Sequence, residues 1–64
     1  MIYVEPAHLG QDGTETMARR MVELLREREI EAECVGSTMD HGVNDIPDAI
    51  WEECLDILNV EFFG

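Results

Sequence analysis

The 64-residue chain has no lysine. Its fixed positive charges are Arg19, Arg20, Arg26 and Arg28, set against 15 aspartates and glutamates for a formal net charge of −11. A surface so poor in cations neither neutralises phosphates nor adheres to anionic lipid, so no direct contact with nucleic acid or membrane is expected. Long apolar runs are also missing. No stretch approaches the roughly 20 apolar residues of a membrane span, and "MIYVEP" at the start carries neither a basic n-region nor the apolar core of a signal peptide. The expected location is the cytoplasm. Cysteine is scarce: Cys34 and Cys54 form no C-x-x-C pair and no even array of the kind that staples small secreted scaffolds, so reduced thiols are expected. Tyr3, Trp51, Phe62 and Phe63 are too few for a base-stacking platform.

What is present suffices for a fold. Hydrophobic residues make up 45% of the chain, more than a disordered acidic tail contains. At this length there is one domain, residues 1–64, burying only about 60% of the surface its unfolded chain exposes. "IYVE" (2–5) alternates as a strand and stops at Pro6, after which "AHLGQDG" (7–13) reads as a loop. From Thr14 to about Glu29 the apolar residues Met17, Ala18, Met21, Val22, Leu24 and Leu25 recur at helical spacing, with Thr14 or Asp12 as cap. "IEAECV" (30–35) alternates again, Ile30, Ala32 and Cys34 against Glu31 and Glu33. After the loop 36–44, Asn44 or Asp45 caps a second helix, with Pro47 in its first turn and Ile46, Ala49, Ile50, Cys54, Ile57 and Leu58 as its buried stripe. "NVEFF" (59–63) reads as a third short strand, with Val60 and Phe62 on one side. Strands with a polar side imply helices on one face only. The expected fold is therefore a two-layer α/β domain of order β-α-β-α-β: a three-stranded sheet, two helices on one face, the other face exposed and acidic.

The charge is unevenly placed. The arginines all lie on the first helix and match Glu15, Glu23, Glu27 and Glu29 there, so that helix is neutral. Residues 30–64 hold nine acids and no base. Asp48, Glu52 and Asp56 fall at i, i+4 and i+8, on one stripe with carboxylates about 6 Å apart, although like charges at that spacing cost roughly 0.2–0.5 kcal/mol a pair. Glu31 and Glu33 stand about 7 Å apart on one side of a strand. These separations approach those of phosphates along a nucleic-acid strand, so rows of carboxylates can imitate them. The candidate partner-binding residues are Asp48, Glu52, Glu53 and Asp56 on the helix, and Glu5, Glu31, Glu33 and Glu61 as a row across the sheet. Phe63 and Tyr3 are candidate anchors inside that rim. An acidic face is ordinarily just a solvated one, and a salt-loving host raises acid content throughout its proteins. Such adaptation would decorate the first helix as well, and that helix is balanced.

Other constellations are weaker. His8, Cys34, His41 and Cys54 match no zinc spacing, and both cysteines fall on core positions. "GQDGTET" (10–16) lacks the glycine and lysine pattern of a phosphate loop, and Asp12 and Glu15 repel an anion. No cofactor, metal or catalytic residue is expected, and the chain is not expected to be an enzyme.

In its size, its lysine-free acidic stretch 30–64 and its carboxylate rows 31/33 and 48/52/56, the sequence resembles small acidic phage and mobile-element proteins, in particular anti-CRISPR proteins that act as DNA mimics. The resemblance implies a stoichiometric inhibitor of a nucleic-acid-binding host defence complex. The implied partner is a CRISPR effector such as a Cascade-type complex, bound at the basic surface that reads the PAM or holds target DNA. Two further readings stay open: an acidic adaptor or antitoxin-like subunit bound to a basic protein, and a small metal-binding or enzymatic domain built on the loops with His8 and His41.

Overall fold

In a computed structural model of the chain, residues 2–36 and 46–64 are described. Four elements of regular structure span them: strand β1 (Ile2–Val4), helix α1 (Glu15–Glu27), strand β2 (Ala32–Cys34) and helix α2 (Asp48–Phe63), with a 3₁₀ turn over Pro6–Leu9. The strands pair in parallel, Ile2 opposite Ala32, Tyr3 opposite Glu33 and Val4 opposite Cys34. The ladder is extended by Ile2 N–H donating to the Glu31 carbonyl at 2.8 Å and Val35 N–H donating to that of Val4 at 2.9 Å. Alternation does what the sequence implies here, since Val4 and Ala32 are buried and Tyr3 and Glu33 are exposed.

The three-stranded β-α-β-α-β sheet is overturned. The described residues form a two-stranded parallel sheet with two helices, and residues 59–63 continue α2 instead of forming a strand. The physical reason lies in the ambiguity of five residues and in what a helix gains there. "NVEFF" alternates at period two, yet Ile50, Cys54 and Leu58 already mark an i+4 row that reaches Phe62. Extending an existing helix adds one hydrogen bond per residue fixed, without a new nucleus. The helical path also brings Glu61 to Arg20, whose Nε and Nη2 each donate to one of its carboxylate oxygens at 2.9 Å.

Helix α1 begins where expected. Thr14 is extended and its Oγ1 accepts from Met17 N–H at 3.2 Å, satisfying one of the donors that a helix start leaves open. Met17, Ala18, Met21, Val22, Leu24 and Leu25 are all buried. The helix ends in a Schellman arrangement: Glu29 N–H donates to the Arg26 carbonyl and Ile30 N–H to that of Leu25, both at 3.0 Å. Glu29 sits at φ 64°, a left-handed position where glycine is usual. In the turn leading into α1, a Cβ on Gly13 would run into the Pro6 carbonyl oxygen, so this approach of backbone to backbone admits only glycine.

The core lies between the sheet and the two helices: Val4, Ala18, Met21, Leu25, Ala32, Ile46, Cys54 and Leu58 form one cluster. Each fully buried large side chain contributes about 1.5–3 kcal/mol. Helix α2 gives this core only Cys54 and Leu58 as buried residues, with Ile50, Trp51, Leu55 and Ile57 half-buried beside them, while Ala49 is exposed. Its start follows Pro47, whose carbonyl accepts from Ile50 and Trp51. Asn44 and Asp45, expected as caps, lie outside the described residues, as do Asp40 and His41 of the loop. No helix among the described residues is long and apolar enough to cross a membrane.

Candidate functional site

The arginines decide which acids are left to face outward. Each of the four is engaged within the molecule. Arg19 Nη2 bonds Glu15 Oε1 at 2.6 Å, one helical turn away. Arg26 Nε donates to the Ala32 carbonyl at 2.9 Å, tying α1 to β2. Arg28 donates to the Leu24 carbonyl at 3.0 Å and to Glu53 Oε1 at 3.1 Å, which ties α1 to α2. Arg20 is the most heavily used: besides its two bonds to Glu61 it lies 3.9 Å from Glu23 and 3.8 Å from Glu27. The paired hydrogen bonds from Arg20 hold the Glu61 carboxyl below the ordinary glutamate value, and Glu61 raises Arg20 further in return. The bond to Glu53 raises Arg28 in the same way.

The carboxylates expected to form a partner surface therefore divide. Asp48, Glu52 and Asp56 are exposed, share one stripe of α2, and pair with no cation among the described residues. Glu53 is exposed on the adjoining flank but is held by Arg28. Glu61 is on α2 instead of on the sheet, and it serves as the second clamp between the helices. The row expected across the sheet is not assembled as such. Glu31 and Glu33 are exposed along β2, but Glu5 is only 6% exposed. It opens the 3₁₀ turn, where its backbone N–H donates to His8 Nδ1 at 3.1 Å and its side chain accepts from the His8 backbone. Pro6 bends the chain at this point, so Glu5 follows the turn and not the alternation of the strand.

The continuation of α2 places on this surface Phe63, expected as an anchor but on a sheet, and Val60, which the sequence pattern assigns to the other side of a strand. Val60 is 72% exposed and Phe63 62% exposed. They stand four and seven residues after Asp56, on the stripe that carries the acids. Tyr3, the other expected anchor, is exposed on β1. The signal that would have found Val60 was present: the row 48/52/56 extends by one more step of four.

Two concavities adjoin this end of α2. A cleft of about 440 Å³ is lined by Leu9, Gln11, Asp12, Met17, Asn59 and Phe63 among others, between the turn after β1 and the last turns of α2. A shallower, largely apolar depression lies among Asp56, Ile57, Val60 and Glu61. Among the described residues no three His, Cys, Asp or Glu side chains come together to hold a metal. Cys34 and Cys54 are free thiols. Cys54 is fully buried, and its burial pushes the thiol upward, with Arg28 opposing and Glu53 adding to the shift. Such a thiol packs as a small hydrophobe and is a poor nucleophile.

Comparison with known protein families, with characterised proteins and with solved structures gives no match.

Proposed function

We propose that the chain is a stoichiometric binding protein that occupies the cationic surface of a nucleic-acid-binding complex, with Asp48, Glu52 and Asp56 standing where that surface would hold phosphates. The observation that carries this reading is the split among the acids. Every arginine is engaged internally, and the stripe 48/52/56 is left exposed without a cation among the described residues. Three carboxylates about 6 Å apart on a rigid helix form a row that lysines and arginines arranged for a phosphate backbone can meet. Glu31 and Glu33 add negative potential from the sheet. In this reading the protein acts in the cytoplasm, performs no catalysis and uses no cofactor, and a CRISPR effector of the Cascade type is the first partner to examine.

The test is competition. A purified Cascade-type effector is incubated with the protein, and its binding to target duplex DNA is measured across a salt series. Inhibition that weakens steeply with salt and disappears in the triple variant Asp48→Lys, Glu52→Lys, Asp56→Lys supports the reading. Inhibition that survives the triple variant refutes mimicry through α2. The adaptor reading is favoured by a specific observation, the exposed Val60 and Phe63, because phosphate mimicry by itself has no use for apolar groups. Capture of a partner that resists salt and is not displaced by DNA would decide for it.

A further inference from the structure

The outward face of α2 is not uniformly acidic, and its composition changes along its length. Residues 48 to 56 present three carboxylates; after one more step of four the same stripe presents Val60, then Phe63. We infer that this face docks a basic segment of a partner protein that also carries a large apolar side chain, its cations lying along Asp48, Glu52 and Asp56 and its apolar group against Val60 and Phe63. The inference rests on the basic-partner reading above and narrows the chemistry of that partner.

Charge complementarity selects the occupant. A second copy of this chain would bring the same net charge of −11 and the same stripe, so an apolar contact at the helix end would form against mutual repulsion. A basic partner gains from both halves of the face. The last turn of α2 contains no basic residue of its own, and Arg20 of α1, which reaches it, is paired with Glu61 there. The depression among Asp56, Ile57, Val60 and Glu61 offers an apolar floor bordered by the carboxylate of Asp56, unpaired among the described residues, and by Glu61, which is held by Arg20. An apolar centre within a charged rim is the usual plan of a protein interface, where the apolar groups supply affinity and the rim charges supply encounter rate and register. From Asp48 to Phe63 the face is about 22 Å long at 1.5 Å per residue, which a partner helix of about 15 residues spans.

The probes are two synthetic peptides of 15 residues and equal positive charge, one with lysines and arginines followed by leucine and phenylalanine, the other with serine at the apolar positions. Their affinities are measured by calorimetry at physiological and at low salt. The apolar peptide should bind at least about tenfold more tightly. Val60→Ser with Phe63→Ser should remove that advantage and leave the serine peptide unaffected, while Asp48→Lys with Glu52→Lys and Asp56→Lys should abolish the binding of both. Far-UV circular dichroism confirms that each variant is folded, and if the double variant is not, Val60→Ser alone should give a smaller loss. Equal affinities for the two peptides, or a preference that survives Val60→Ser, overturns the inference and leaves the basic-partner reading standing. Absence of binding by either peptide at low salt overturns both. A dimer seen by sedimentation and dissolved by Val60→Ser with Phe63→Ser would assign the face to a second copy instead.

Discussion

Replacing Glu29 by glycine should stabilise the protein, and the size of the effect follows from three contributions. Glu29 holds φ 64° at the position after the helix cap, where the bonds from Glu29 to Arg26 and from Ile30 to Leu25 close the end of α1. A side chain in the left-handed region costs about 1–2 kcal/mol, which glycine relieves. An acid at the negative end of a helix dipole costs about 0.3–1 kcal/mol more, and the substitution removes it. Against these stands the greater freedom of glycine in the unfolded chain, worth about 0.4–1 kcal/mol in the other direction. The Glu29 side chain is exposed and makes no ion pair among the described residues, so no contact is lost. The net gain is about 1 kcal/mol, which in a domain of this size raises the melting temperature by roughly 4–8 °C. Urea denaturation followed by circular dichroism measures it, with Glu29→Gln as the companion variant that removes the charge and keeps the strain. Glu29→Gly should exceed Glu29→Gln. If the two are equal, the left-handed turn stores no strain and the effect is electrostatic; if Glu29→Gly is no more stable than the parent, the reasoning fails.

The clamp between Arg20 and Glu61 should make stability depend on acid pH. Because the Glu61 carboxyl is held below its ordinary value, its contribution is complete above that value, about 4.3, and is lost as pH falls through the lowered one. Glu61→Gln should flatten that part of the melting-temperature profile, and Arg20→Gln should do the same; an unchanged acid limb in both would show that the pair does not hold the helices. The two thiols should differ in reactivity toward a disulfide reagent at neutral pH. Half-buried Cys34 should react in the native protein, whereas Cys54, buried and pushed upward, should react only on unfolding, so rapid labelling of both would place Cys54 outside the core.

How far the sequence could be read depended on how many periods each element offered. Helix α1 repeats its apolar spacing over 13 residues and announces its start with Thr14, and both features are found. The strands around Val4 and Ala32 alternate and do so in the fold, although only three residues of each are paired. Residues 59–63 offer too little pattern to separate period two from period 3.6, and their β-forming side chains favour a strand. What settles that segment is tertiary: Glu61 reaches Arg20, 41 residues away in sequence. Burial of Glu5 was illegible for a similar reason. Alternation places it beside Glu31 and Glu33, but Pro6 and His8 draw it into a turn. The acids of the stripe 48/52/56 were correctly placed on one helix face because their spacing is local.

Every guanidinium of this chain bonds another group of the same chain, whereas Asp48, Glu52 and Asp56 form no ion pair with any of them. The charged groups that tie the helices together and the carboxylates of the stripe are thus different residues, although both sets border the depression among Asp56, Ile57, Val60 and Glu61. Substitution along Asp48, Glu52, Asp56 and Val60 re-addresses the surface while the clamps and the core stay intact. One side of one helix can therefore be rewritten in sequence without disturbing the ion pairs that join α1 to α2.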